Sequence, residues 1–327
     1  MKAIVRDRYG SADVLRYADV PRPAVGPEQV LVRVRACSLN FGDRVALRGE
    51  PTVIRLAWGL RRPRVTVLGR DIAGTVVEVG AKVTRWQPGD DVFGEVDQRG
   101  FAEYVAAPAD HLARVPAGVS FEQAATLPVA GSTALQALRL GGVTAGSRVL
   151  VNGASGGVGT FAVRLAADLG AQVTGVCSTR NADLVRSLGA DVVVDYTRED
   201  FTRGDRSYDV IFDLAGGHGL AALRRVLAPG GVYLSSSGAG GRVLGPLPHL
   251  LKVTALGAVT RQRLRVVAAR RDTADLDHLA GLIAAGRLSP AIERVRPLSE
   301  TADALRALET DHARGKIVLI VPEPVQP

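Results

Sequence analysis

The chain has 327 residues, 46% hydrophobic and 23% charged, a composition that fits a folded globular protein with room for two domains. Its net charge is +8, and all but four of its 41 basic residues are arginines dispersed along the chain, so no nucleic-acid face is expected. Only two cysteines occur, Cys37 and Cys177, far apart and outside any CxxC spacing, which excludes a four-thiolate zinc knot and a disulfide framework.

In chain order, residues 1–5 already read as a strand, so no leader peptide is expected and the setting reads as cytoplasmic and reducing. Alternating apolar positions predict strands at 30–36, 72–80, 91–94, 102–106 and 111–115, separated by Gly and Pro turns. Many short strands of this kind suggest a compact β-barrel-like domain. A short helix is expected over 40–48. The segment 51–64 mixes Arg55, Arg61, Arg62 and Arg64 with Ile54, Leu56, Trp58 and Leu60, and reads as a lid over an apolar substrate, a surface for an anionic ligand or a membrane holding a lipid acceptor, or a solvated loop. No segment is long and apolar enough to span a bilayer; the most apolar late stretch, 245–259, contains His249 and Lys252.

From residue 120 the rhythm changes. Ser120 and Gln123 fit a capping box at the start of helical pattern over 120–141. Strands are predicted at 148–152, 172–177, 192–195, 208–213 and 231–235, with a candidate last strand at 263–267. Helices are predicted at 157–169, 180–188, 217–227 and 273–286. This alternation argues for a parallel sheet wrapped by helices. Strand character returns at 291–295 and 316–321, around a helix at 299–312. The fold class is therefore α/β. A β-rich domain of 1–119 and 290–327 is interrupted by a doubly wound parallel-sheet domain of 120–289.

The stretch from Val149 to Gly159 reads as a buried strand, a glycine turn and a helix start. Gly153, Gly156 and Gly159, with Ser155, Gly157 and Val158 between them, form a loop whose backbone can approach a pyrophosphate at a helix N-terminus. At the tip of the second strand, Ser178, Thr179 and Arg180 stand where an NAD site carries a carboxylate for the ribose. Hydroxyls and a guanidinium suit a 2′-phosphate, so NADPH is the expected cofactor. The strand-end segments containing Ala215, Ser236 and Ser237 fall at the carboxyl edge of the sheet, where ligands bind in open α/β folds.

Six segments in order carry a resemblance: residues 38–43, 69–74, 88–92, 130–134, 152–159 and 314–318. Together they resemble the medium-chain dehydrogenase/reductase superfamily, within it the zinc-free quinone oxidoreductase-like members. The resemblance implies a GroES-like catalytic domain and a Rossmann domain, with the active site in the cleft between them. It also implies roles for Thr133 near the nicotinamide, Tyr196 near the 2′-phosphate and Lys316 in cofactor binding, and a homodimer formed through 263–267. In zinc-dependent relatives a cysteine occupies the place of Asn40 and a His-Glu pair that of Arg70 and Asp71. Amide and guanidinium groups cannot replace thiolate and imidazole, so no metal is expected.

Without a Lewis acid, a conjugated acceptor is the expected substrate, because its enolate oxygen needs only hydrogen-bond donors. Asn40 is the expected donor, Arg70 a nearby positive charge and Asp43 an orienting group. The resulting expectation is an NADPH-dependent reductase of quinones or α,β-unsaturated carbonyls. The alternatives are a zinc-free alcohol or aldehyde dehydrogenase, and a cofactor-binding protein without turnover. No tyrosine lies between Phe41 and Asp71, where enoyl-thioester reductases of the superfamily carry their acid. Of the five histidines, none in metal-ligand spacing, only His218 follows a segment on the expected cofactor side.

Overall fold

The structure is a computed structural model that describes residues 1–236, 241–310 and 314–322. The chain divides into two compact units. The first comprises Met1–Glu50, Ile54–Ser132 and Arg271–Pro327, the second Pro51–Val53 and Thr133–Arg270. The first unit thus runs past residue 119 to Ser132. It also takes the helix Thr273–Ala284, whose Leu279 lies 3.1 Å from where a Cβ on Gly131 would stand.

The first unit is built on a seven-stranded sheet. Its order is Ile292–Pro297, Lys316–Ile320, Gln29–Ser38, Asp71–Val79, Asp91–Glu95 and Leu112–Arg114, with Tyr104–Pro108 paired to Gln29–Ser38 off this path. The long strand Gln29–Ser38 starts as a half-buried alternation, in which Val30, Val32 and Val34 point into the core while Arg33 and Arg35 stay partly exposed. Its last three residues, Ala36, Cys37 and Ser38, are all buried. Here Lys316–Ile320 and Asp71–Val79 flank it on both edges, with Ser38 opposite Val318 on one side and Asp71 on the other. Val30, Val32, Ile72, Val92, Phe101 and Leu319 belong to one apolar core. A small two-stranded sheet, Lys2–Val5 with Arg16–Asp19, completes the unit. Its second strand, mostly exposed, gave no alternating signal.

The second unit carries a six-stranded, wholly parallel sheet in the order Val192–Asp195, Gln172–Cys177, Arg148–Asn152, Tyr208–Asp213, Leu227–Ser235, Arg263–Val266. In sequence terms this is 3-2-1-4-5-6, the doubly wound dinucleotide-binding order, with its switch point beside Arg148–Asn152. The register sets the strand ends level. Asp213 lies opposite both Asn152 and Ser235, Asp195 opposite Cys177 and Ser235 opposite Val266. One element escaped the sequence reading: the helix Leu247–Val259, whose Leu247, Leu251 and Val259 are exposed. Apolar residues all round this helix leave no amphipathic period to read. Ser237, His312 and the last five residues, 323–327, lie outside the described residues.

Candidate functional site

In the first unit, the chain leaves Gln29–Ser38 and turns at Asn40 into the helix Phe41–Arg48. Asp43, in the first turn, accepts the Asn40 backbone N–H on Oδ2 at 2.8 Å. The Asn40 side chain turns inward. Its Nδ2 donates to Asp71 Oδ2 at 2.9 Å and its Oδ1 accepts from Lys316 Nζ at 2.6 Å. Lys316 also donates to Leu39 O at 2.9 Å and lies 3.5 Å from Asp71 Oδ2. Asp71 further accepts from Ser38 Oγ at 3.0 Å and from Val129 N at 3.1 Å. Ser38, Asn40, Asp43, Asp71 and Lys316 are all buried.

Two acids share this cluster, and they are treated differently. Asp71 receives donors on both oxygens. Among the described residues Asp43 Oδ1 has no hydrogen-bond partner, and burial pushes the Asp43 carboxyl up to about 7. The Asp71 charge adds to this rise, while the Asn40 N–H, Lys316 and Arg70 oppose it. Burial draws the Lys316 ammonium below its ordinary value against the pull of Asp71 and Asp43, and it pushes the neighbouring Cys37 thiol up. Arg70 does not bond to Asn40. Its guanidinium pairs with Glu95, which Arg271 also approaches at 3.4 Å. One of its nitrogens nevertheless passes 3.8 Å from where a Cβ on Gly42 would stand, at the start of the Asn40 helix.

In the second unit, Arg148–Asn152 ends in the glycine loop and the helix Gly157–Asp168 follows, with Gly156 as its N-cap. Gly153 has φ +87°, a left-handed conformation open to glycine. A Cβ on Gly159 would fall 2.1 Å from Gly153 O, so only glycine lets the helix start pack under the turn. Beside Gly156 the nearest atom to an added Cβ, Gly153 O, stands 3.4 Å away, which leaves room at the helix N-terminus for a ligand phosphate. Asp213 ties this edge together. It accepts from Asn152 Nδ2 and Gly216 N at 2.8 Å each, and from the Tyr233 hydroxyl at 2.9 Å. Asn181, which the sequence did not mark, donates to Ser155 Oγ at 3.0 Å and is buried, with its Oδ1 unpartnered among the described residues. The cradle and this buried amide fit a dinucleotide.

Comparison with known proteins follows from this geometry. A family profile described as "Alcohol dehydrogenase GroES-like domain" matches residues 26–117, and one described as "Zinc-binding dehydrogenase" matches residues 188–319. The NADPH-dependent alkenal/one oxidoreductase, chloroplastic, of Arabidopsis thaliana is 35% identical, over 98% of this chain and 79% of that protein. The 2-methylene-furan-3-one reductase of Solanum lycopersicum is 32% identical, with the same coverage of both chains. The solved structure of the quinone oxidoreductase from Coxiella burnetii superposes with a TM-score of 0.88 at 32% identity, covering 98% of this chain and 99% of that one. The chain belongs to the medium-chain dehydrogenase/reductase superfamily, among its quinone oxidoreductase-like members. One family description names zinc. Among the described residues no three His, Cys, Asp or Glu side chains come together as a metal set.

Several site residues take places that the sequence did not foresee in this superfamily member. Lys316, expected at the cofactor, is buried with its protons directed at Leu39, Asn40 and Asp71, so it belongs to the Asn40 cluster. Thr179 was expected to donate to a 2′-phosphate. Its hydroxyl proton goes to Asp195, a carboxylate at the end of the adjacent strand that also accepts from Thr197 N and Oγ1. Ser178 is half-buried and Arg180 and Tyr196 are exposed at the same edge. Thr133 and Ser155 are buried, and Ala215 is exposed on the loop that Asp213 holds, with Ser236 following the next strand. His218 faces Asp200 at 3.2 Å, and its ring packs tilted against Phe201. In 51–64, Leu56, Trp58 and Leu60 are exposed, while Arg55 is spent on Gly49 O and the Tyr9 ring.

Proposed function

We propose that the chain is an NADPH-dependent, zinc-independent reductase of quinones or α,β-unsaturated carbonyls. The observation that carries this reading is the Asn40 amide. It stands where zinc relatives place a cysteine, and it offers a spare Nδ2–H for a developing oxyanion. Bound NADPH supplies the hydride. The chain's own residues then do the rest. The loop from Gly153 to Gly159 holds the pyrophosphate. Ser178, Arg180 and Tyr196 favour the 2′-phosphate. The region of Thr133, Ala215 and Ser236 borders the nicotinamide. Asn40 donates to the acceptor oxygen and Arg70, held by Glu95, adds positive charge near it. Asp43 orients the Asn40 backbone. The exposed Phe41 ring beside Asn40 provides an apolar face for a planar acceptor.

The names of the relatives, which mention alkenals, enones and quinones, support the same substrate class. The free edge of the parallel sheet at Arg263–Val266 supports a homodimer. Purified protein assayed with NADPH is expected to reduce a quinone or an enone, with no change after dialysis against a chelator. Activity confined to an alcohol, restored by zinc, overturns the reading. Tight NADPH binding without turnover on any acceptor points instead to a cofactor-binding protein.

A further inference from the structure

The orientation of the Asn40 amide is forced by its neighbours. An ammonium only donates, so Lys316 must face the amide oxygen, and it does so at 2.6 Å. The carboxylate of Asp71 takes up donors, and the amide nitrogen faces it at 2.9 Å. A flipped amide would set oxygen against oxygen and nitrogen against ammonium. The second Nδ2–H has no hydrogen-bond partner among the described residues, and Asn40 keeps 7% of its surface exposed whereas Lys316 keeps 2%.

The distances also show where the ammonium's field falls. Lys316 lies nearer the amide oxygen than the carboxylate, 2.6 Å against 3.5 Å. Asp71 divides its charge among Ser38, Asn40 and Val129 as well. Inside a buried cluster such a contact is weakly screened.

We infer that Lys316 is the positioning residue that locks and polarises the Asn40 amide, so that its free N–H becomes a stronger donor to the acceptor's oxygen as negative charge develops there. This rests on the proposed reduction of a conjugated carbonyl. In that reaction the acceptor gains a C–H bond at its β-carbon from the hydride. The C=C electron pair shifts to form the enolate, whose oxygen carries the charge, and solvent then supplies the proton at the α-carbon. The amide N–H stays on Asn40 throughout. Lys316 touches no reacting atom and acts by drawing electron density towards Oδ1.

The test has two arms. The chain contains three asparagines, Asn40, Asn152 and Asn181, so protein labelled with ¹⁵N at asparagine gives three side-chain amide pairs, assigned by single substitutions. In the unsubstituted protein the Asn40 pair is expected downfield of the other two and resistant to exchange on the Asp71-facing proton. An Asn40 pair at random-coil shifts overturns the inference whatever the activity. In the second arm, Lys316→Met is combined with Asp71→Asn, so that the ammonium and the carboxylate facing it are removed together, and compared with Asp71→Asn alone. Loss of the ammonium is expected to lower kcat for an enone at least about tenfold while leaving the KM for NADPH within about twofold. Lys316→Arg is expected to retain most of that rate. Unchanged kcat in the folded double variant, or equal losses in kcat and in NADPH affinity, overturns it. If the unsubstituted protein reduces no conjugated acceptor, the functional reading fails, while the amide shifts still report the Lys316–Asn40 contact.

Discussion

Asp43 shows how burial turns an ordinary helix-start residue into a pH-sensitive one. Its carboxyl rises from 3.8 to about 7 on folding, so between those values the native state binds more protons than the unfolded chain. The stabilisation from this group is complete below about pH 4 and is lost as pH rises to about 7. Asp43→Asn keeps an oxygen for the Asn40 N–H and removes the titration. Denaturant melts at pH 5 and 8 are expected to show a clear drop in stability for the unsubstituted protein, on the order of 3 kcal/mol at most, and a smaller one for the variant. At the cofactor edge, Arg180→Ala is expected to weaken NADPH binding about tenfold or more and NADH binding little, as read by fluorescence titration of both nucleotides. Equal losses would assign the 2′-phosphate to other groups. Asp195 makes the comparison informative. Its negative charge stands beside Thr179, so the proposed preference for NADPH would rest on Ser178, Arg180 and Tyr196.

The glycine loop illustrates an element whose demands are written in residue types. Gly153 needs a positive φ and Gly159 needs the absence of a Cβ, and both demands appear in the sequence as glycine between a strand and a helix. Gly159→Ala would drive a methyl group into Gly153 O, which overpacking data put at roughly 1–3 kcal/mol. Its expected result is a lower Tm and weaker NADPH binding, both measurable in one thermal-shift series with and without the nucleotide. The parallel sheet was equally legible, because most of its strands are apolar runs and helices with their own period lie between several of them. The Asn40 cluster was legible only in part. Asn40 and Asp43 are neighbours on one helix start, but Lys316 and Asp71 are 245 residues apart and no local pattern links them. Thr179 and Asp195 meet across two strands for the same reason, and only the register reveals the pair. The helix Leu247–Val259 was missed because it lacks a polar face that would mark its period.

Each of the two units encloses its own apolar core, one around Ile72, Phe101 and Leu319, the other around Leu150, Ile211 and Tyr233. A ligand that binds only the folded state stabilises it by mass action, and a nucleotide at a hundred times its Kd contributes about 2.7 kcal/mol. NADPH is therefore expected to raise the Tm by several degrees, whereas a chelator is expected to leave both Tm and turnover unchanged. A Tm that falls with the chelator would show a metal within the native structure.

The strand Lys316–Ile320 pairs with Gln29–Ser38 and brings the ammonium that answers Asp71. A ribosome emits Asn40 and Asp71 well before this strand. The six parallel strands, all between residues 148 and 266, leave the exit tunnel before it. The nascent chain is thus expected to complete its nucleotide-binding sheet while the earlier sheet still waits with an uncompensated acid at its centre. A chain stopped at Gly315 would expose that order directly. Limited proteolysis is expected to spare the parallel sheet and cut freely through the first hundred residues, since the strand that completes the earlier sheet is made after the parallel one.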